Sequence, residues 1–271
     1  MSSVVESPRH LAGIISVTDY YHSERDKNFL FAKFQWPIAK DYYTPLEHAI
    51  YECAMVSCSA IWVVVHHPIK HWIKRQQRWI IDPTGYFRAR FFKYSEELEK
   101  RIPIFYISAK DFASPEQSII QGCLTAYRIG NLMSKWAAPY KFYATFTNSI
   151  YDVSKFGYMK KNLRDPKKQF VLRHEGKTIK DGKRLGFTLF AEDVFEMHKN
   201  GFQSYEIKKN AKIHDIENYY ELTDVNSYID YMKSGLPDNV IQRRDFIFDE
   251  VEKAVESGKK KWINIGKQRK K

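Results

Sequence analysis

The sequence predicts an α/β fold whose mixed, mostly parallel central sheet is flanked by helices. The first observation is a pair of short apolar runs, 11–17 and 60–65, which are typical of strands buried on both faces. The second is a strong helix start between them, and the third is the same strand, helix and strand order over residues 102–146. Since this succession forms a right-handed parallel unit, two such units predict one largely parallel sheet.

The helix between the first two strands begins after Thr44. Thr44 is a good N-cap residue, Pro45 suits the first helical position, and Glu47 completes a capping box with the cap residue. The apolar residues that follow recur with the helical period, which predicts a helix buried on one face. They are Leu46, Ala49, Ile50, Cys53 and Ala54.

The second unit repeats these signals. Residues 102–107 and 141–146 are predicted strands, and the helix between them begins with Ser114, Pro115 and Gln117, which repeat the cap of the first helix. Its apolar stripe comprises Ile119, Ile120, Cys123, Leu124 and Tyr127. Both helices therefore have one face available to cover the same sheet.

The second half of the chain is less regular. Residues 170–190 contain the turn residues Gly176 and Gly182, which predict antiparallel strands. A short helix follows and ends at Gly201, and a later helix is capped at Thr223 or Asp224. We expect residues 1–237 to form the α/β domain and residues 238–271 to form an amphipathic helix with a basic tail.

Composition limits the environment and the partners. A formal charge of +12 and a pI near 9.4 favour anionic partners such as nucleotides or nucleic acid. The three cysteines, Cys53, Cys58 and Cys123, have neither metal-site nor disulfide-framework spacing, which fits a reducing compartment. Because the sequence shows no signal-peptide pattern and no apolar run of about 18 residues, we expect a cytoplasmic protein without a membrane partner.

Charged residues follow the predicted parallel strands, and ligands of open α/β sheets bind beyond the carboxyl ends of such strands. The loop after the first strand carries Arg25, Lys27 and Lys33, and Asp152 follows the strand at 141–146. A cationic side chain can neutralise phosphate charge and a carboxylate can hold a metal ion. This edge of the sheet therefore suits a nucleotide with magnesium.

Three segments carry a resemblance to a known family. They are "IIS" at 14–16, "AKFQWPIA" at 32–39, and "TPLEHAIYECAMVSCSAIWVVV" at 44–65. In this order they resemble the start of the sugar-phosphate nucleotidyltransferases, the pyrophosphorylase branch of the glycosyltransferase-A-like fold. An ungapped count places the Pro-Lys lysine of that family on Lys33. The resemblance thus implies a glycosyltransferase-A-like, Rossmann-like sheet.

The resemblance also implies roles for individual residues. Lys33 would contact the sugar phosphate and the α-phosphate, and Arg25 would assist it. Asn148 falls near the position of the family's metal aspartate, so the nearest carboxylate, Asp152, and the later Glu221 would hold Mg²⁺. The remaining implied contacts with nucleotide or substrate are at Ser16, Val17, Thr18, Asp19, Gly122 and Asn148.

The expected function is nucleotidyl transfer from a nucleoside triphosphate to a sugar phosphate or related phosphate, with release of pyrophosphate. The glycines of the family's signature loop are absent, and Thr18, Asp19 and Tyr21 stand in their places. Two alternatives therefore remain open. One is a glycosyltransferase that uses a nucleotide-sugar, and the other is a non-catalytic scaffold that binds nucleic acid through basic segments such as 72–90 and 258–271.

Overall fold

The computed structural model describes residues 10–17, 36–39, 43–65, 78–81, 101–109, 114–133, 138–153, 156, 159, 163 and 165–235. The strands are β1 (Leu11–Ser16), β2 (Ala60–Val65), β3 (Trp79–Ile81), β4 (Arg101–Ser108), β5 (Lys141–Phe146), β6 (Ser149–Tyr151), β7 (Phe170–Arg173), β8 (Phe187–Phe190), β9 (Lys212–Asp215) and β10 (Tyr219–Glu221). The helices are α1 (Pro45–Met55), α2 (Pro115–Met133), α3 (Ala191–Asn200) and α4 (Val225–Lys233).

Eight strands form one mixed sheet in the order β3-β4-β2-β1-β5-β8-β7-β9, and β6 pairs with β10 in a separate two-stranded ladder. The four neighbours β4, β2, β1 and β5 are parallel, as are β7 and β9, whereas β3 and β8 are antiparallel to their neighbours. The fold class predicted from the sequence is therefore confirmed. Strand order reverses at β1, because β2 and β4 lie on one side of it and β5 lies on the other.

Local sequence explains where the first two helices begin. The Thr44 side chain accepts a hydrogen bond from the backbone N–H of Glu47, whose carboxylate accepts one from the Thr44 N–H. Ser114 and Gln117 make the same reciprocal pair at the start of α2. These bonds satisfy backbone donors that a helix start otherwise leaves unpaired. Both predicted capping boxes are confirmed.

The sheet separates two hydrophobic cores. Leu11 and Ile15 of β1 face α1, whereas Ala12 and Ile14 face α2 and α3. All four are almost completely buried, because successive side chains of a strand point to opposite faces and both faces of this sheet are covered by helices. A third, smaller cluster joins residues 38, 39 and 43 to β6, β10 and α4.

The second half departs from the sequence expectation in detail. β7 and β8 are antiparallel, as predicted, and α3 ends at Gly201. The strand β9 and the β6–β10 ladder were not predicted. The expected helix and tail at 238–271 lie outside the described residues. Among the helices the structure describes, none is both long enough and apolar enough to cross a bilayer.

Gly122 lets α2 lie close to the sheet. A Cβ atom at this position would stand 2.7 Å from Cγ2 of Ile14 and 2.8 Å from Cγ2 of Val64. Both neighbours belong to the buried core between α2 and the sheet. The absence of a side chain at Gly122 is therefore a packing requirement.

We expect Gly122→Ala to destabilise the protein by about 1 kcal/mol. Overpacking typically costs about 1–3 kcal/mol, and the better helix propensity of alanine offsets only about 1 kcal/mol. Urea denaturation measures the difference, with Arg128→Ala, at an exposed position of α2, as the control. An unchanged or raised stability of Gly122→Ala would contradict this close packing.

Candidate functional site

Strand order reverses at β1, and in open α/β sheets such a reversal is where a ligand crevice forms at the carboxyl edge. The backbone N–H of Thr147, just beyond β5, donates to the carbonyl oxygen of Ser16 at 3.3 Å. On the other side of β1, the N–H of Val17 donates to the carbonyl oxygen of Val64 at 3.0 Å. The structure therefore places the predicted residues Ser16 and Val17 at the topological switch point, where open α/β sheets bind ligands.

Asn148 and Glu221 meet at the same edge. Glu221 is paired with Ser149 in the β6–β10 ladder, and the N–H of Leu222 donates to the carbonyl oxygen of Asn148 at 2.8 Å. The side-chain amide of Asn148 donates to Oε1 of Glu221 at 3.5 Å. Two residues singled out by the family resemblance, 73 positions apart, are thus brought together by a short antiparallel ladder.

Arg184 and Tyr219 complete the surroundings of this carboxylate. Nε of Arg184 lies 3.7 Å from Oε1 of Glu221, and the Tyr219 hydroxyl donates to Oε2 at 2.9 Å. Burial, and then the negative charge of Glu221, raise the pKa of Tyr219 well above its ordinary value, so its phenol is a neutral donor. The Ser149 hydroxyl donates to the carbonyl oxygen of Arg184, which ties the arginine to β6.

The structure does not place the predicted metal ligands Asp152 and Glu221 opposite each other in the ladder. Tyr151 pairs with Tyr219 while Ser149 pairs with Glu221, so Asp152 lies beyond the far end of the ladder. The three-residue offset along the strand from Ser149 to Asp152 corresponds to about 10 Å. The described residues contain no group of three His, Cys, Asp or Glu side chains arranged to hold a metal ion. Among the residues that the structure describes at this edge, a single carboxylate that already faces a guanidinium does not fit Mg²⁺, which prefers several oxygen ligands.

The segment that follows Lys33 is fixed on α4. The Tyr228 hydroxyl donates to the carbonyl oxygen of Pro37 at 2.7 Å, and the Tyr231 hydroxyl donates to that of Ile38 at 2.9 Å. The ring of Trp36 packs edge-on against Tyr228, with the ring centroids 4.9 Å apart. These contacts place residues 36–39 beside the β6–β10 ladder.

The other predicted site residues are not in the crevice or are not described. Thr18, Asp19, Arg25 and Lys33 lie outside the described residues. Gly122 is buried between α2 and the sheet, so the structure does not bring it to the crevice.

Solved structures match this fold, although no protein-family model and no curated protein matches the sequence. A UDP-glucose pyrophosphorylase without ligand is 11% identical, with a TM-score of 0.55 over 85% of this chain and 99% of that chain. A UDP-glucose pyrophosphorylase in complex with UDP-glucose is 12% identical, with a TM-score of 0.53 over 85% and 100% of the two chains. The chain has the sugar-phosphate nucleotidyltransferase fold.

A third match comes from Bacillus anthracis. That protein, described as a glucose-1-phosphate thymidylyltransferase in complex with sucrose, is 9% identical, with a TM-score of 0.53 over 82% of this chain and 94% of that chain. At such identities the likeness establishes the nucleotidyltransferase fold, and any chemistry has to be argued from the residues of this chain.

Within this nucleotidyltransferase fold, a buried carboxyl group underlies the site. Glu52 of α1 is fully buried and accepts hydrogen bonds from three hydroxyl groups: Tyr143 at 2.5 Å, Thr145 at 2.8 Å, and Tyr151. Burial raises the pKa of Glu52 to about 7, although the three hydrogen bonds act in the opposite direction. Sequence reasoning missed Glu52, but a signal was present, because it is the only charged residue in 49–65.

His48 is a second buried polar residue of α1. Its Nε2 lies 3.0 Å from the carbonyl oxygen of Tyr151, and its Nδ1 lies 3.4 Å from the Tyr43 hydroxyl. Burial lowers the pKa of His48 to about 4, so the imidazole is neutral near pH 7. Glu52 and His48 together attach α1 to β6, the strand that pairs with the Glu221 strand.

A second concavity lies between α2 and α3. Its volume is about 1040 Å³, and its floor includes Ile120, Leu124 and Met197. Several of its polar groups are already used within the fold: the Gln121 amide donates to the carbonyl oxygen of Ser108, and the Lys180 ammonium to that of Tyr205. The switch-point crevice is therefore the better candidate for the functional site.

The opposite pKa shifts of Glu52 and His48 lead to a testable dependence of stability on pH. The folded-state pKa of Glu52 is raised from 4.5 to about 7, so its contribution to stability is full below pH 4.5 and is lost as the pH rises through 7. Relative to Glu52→Gln, the wild type should lose about 3 kcal/mol of unfolding free energy across this window. His48 acts oppositely, losing stability from pH 6.5 down to 4, but it is present in both proteins.

Urea denaturation of the wild type and Glu52→Gln at pH 4.5, 6 and 8 measures this difference. Glu192→Gln, at an exposed position of α3, is the control and should differ little from the wild type at every pH. A constant difference between the wild type and Glu52→Gln would mean that Glu52 has an ordinary pKa in the folded protein.

Proposed function

We propose that this protein transfers a nucleotidyl group from a nucleoside triphosphate to the phosphate of a phosphorylated sugar or related small molecule. The convergence of Ser16, Asn148 and Glu221 at the topological switch point is the observation that carries the proposal. Three separate segments of the chain supply these residues, and the resemblance to nucleotidyltransferases assigns a role to each of them. The shared fold of the pyrophosphorylases supports the same reaction class.

The reaction is a displacement at the α-phosphorus. A phosphate oxygen of the acceptor forms a new bond to the α-phosphorus, and the bond from this atom to the bridging oxygen of the β-phosphate breaks. Pyrophosphate leaves with that electron pair, and no oxidant or reductant is needed. The protein contributes chiefly by aligning the two phosphates and by placing positive charge beside them.

Lys33 is the proposed source of charge at the transferring phosphate, with Arg25 in support. Lys33 is three residues before Trp36, so even an extended chain keeps its Cα within about 11 Å of Trp36. Residues 36–39, which are held on α4 beside the Glu221 strand, support the assignment of Lys33 to this site because they follow it closely in sequence. A long, flexible ammonium side chain suits contact with a phosphate that moves during transfer.

A thermal-shift screen tests the proposed function. The ligands are ATP, GTP, CTP, UTP, dTTP and the corresponding nucleotide-sugars, each with and without magnesium. We expect one triphosphate to raise the melting temperature, because a ligand that binds only the folded state stabilises it. The rise should be lost in Lys33→Ala and retained in Lys209→Ala, an exposed lysine just before β9, at the opposite edge of the sheet.

The triphosphate that binds is then incubated with a panel of sugar 1-phosphates, and released pyrophosphate is measured. Lys33→Ala should lower the rate at least about tenfold, since an interaction with a charged group is typically worth about 1.5–3 kcal/mol. A shift with nucleotide-sugars alone would indicate a glycosyltransferase on this fold. The absence of any shift at millimolar ligand would contradict both enzymatic functions.

A further inference from the structure

The Glu221 carboxylate is surrounded by hydrogen-bond donors and a cation at the place where the resemblance leads one to expect a metal. Oε1 faces Nε of Arg184 and the amide of Asn148, and Oε2 accepts from the Tyr219 hydroxyl. A metal ion at this carboxylate would have to displace donors from both oxygens and stand beside a guanidinium. The local charge is thus already balanced by the protein.

We propose that Arg184 takes the place of a divalent cation here: its guanidinium, held on Glu221, contacts the phosphates of the nucleotide, and nucleotide binding needs no metal ion. This inference rests on the proposed function, because it concerns the charge that the same crevice offers to the same ligand. It differs from the proposed function in naming Arg184 and in removing the requirement for magnesium.

The position of Arg184 is fixed by the fold. Its backbone carbonyl accepts a hydrogen bond from Ser149, the first residue of β6 and the neighbour of Asn148. Its side chain is 23% exposed and that of Glu221 is 25% exposed, so the pair is partly shielded from water yet not closed to a ligand. Partial burial strengthens the interaction of a fixed charge with an incoming anion.

The chemistry of arginine suits this role. A guanidinium has five N–H donors in one plane, so one edge can contact a carboxylate while another contacts a phosphate. Glu221 then orients the guanidinium, and the Tyr219 hydroxyl orients Glu221. The three residues together carry no net charge, so the guanidinium would meet a phosphate chiefly through its N–H donors.

The test measures nucleotide affinity by isothermal titration calorimetry in EDTA and again in excess magnesium, on the wild type and on Arg184→Gln. Arg173→Gln is the matched control, because Arg173 is also a partly exposed arginine paired with a carboxylate, with Nε 2.6 Å from Oδ1 of Asp215. We expect the wild type to bind in EDTA with nearly the affinity that it shows with magnesium. Arg184→Gln should bind at least about tenfold more weakly in EDTA, and Arg173→Gln should bind like the wild type.

Arg184→Lys separates charge from structure. It keeps the positive charge without the planar donor set, so its affinity should fall between those of the wild type and Arg184→Gln. The melting temperature of each variant without ligand is measured first, so that a weaker affinity is not confused with partial unfolding.

A converse variant creates the metal site that we infer to be missing. The Asn148→Asp, Arg184→Gln double variant removes the cation and adds a second carboxylate facing Glu221. It should bind Mn²⁺ alone, detected by the loss of the free-ion electron paramagnetic resonance signal, at concentrations where the wild type binds none. Carboxylate pairs are the usual ligands of hard divalent cations.

The outcomes distinguish this inference from the proposed function. A triphosphate that binds only with magnesium would overturn the role of Arg184 and leave nucleotidyl transfer in place. Binding of Mn²⁺ by the wild type at the concentration that loads the double variant would also overturn it. The absence of triphosphate binding under both conditions would overturn both proposals.

Discussion

The site depends on a buried carboxyl group that lies below it. Glu52 accepts hydrogen bonds from β5 and β6, and so fixes the strand whose pairing with β10 brings Glu221 to the switch point. Desolvation opposes a charge in this position, yet three hydroxyl groups satisfy the oxygens. An apolar residue at position 52 would leave the buried hydroxyl groups of Tyr143 and Tyr151 without this acceptor, and the attachment of β6 to α1 would loosen.

Sequence reasoning was most accurate where local signals and burial agree. Cap residues and apolar runs indicate the helices α1 and α2 and the four parallel strands, and each of these signals lies within about ten residues of chain. The strand β9 was missed because three of its four residues are polar or charged and it lies at the edge of the sheet. Such a strand is stabilised by its neighbour β7 and carries little pattern of its own.

The candidate site was only partly predictable for a related reason. The resemblance singled out Asn148 and Glu221, but no local pattern could show that a loop between β7 and β8 would deliver Arg184 to the same carboxylate. The buried Lys141 is a parallel case at the other edge of the sheet, where its ammonium donates to the carbonyl oxygens of Leu163, Asp165 and Lys168. In both cases the partner is brought close only by the tertiary structure. From the sequence, a charged residue is therefore expected to be exposed to solvent.

The hydrogen bond from Tyr231 to the carbonyl oxygen of Ile38 spans 193 positions. During synthesis, the segment that follows Lys33 therefore remains without its partner until nearly all of the described domain has left the ribosome. The parallel strands β1 and β2 can pair long before then, whereas the α4 side of the crevice forms last. A nascent or truncated chain that ends before α4 would have most of the sheet, but Pro37 and Ile38 would lack the hydroxyl donors that hold them. The candidate site would thus be completed in one late step of folding.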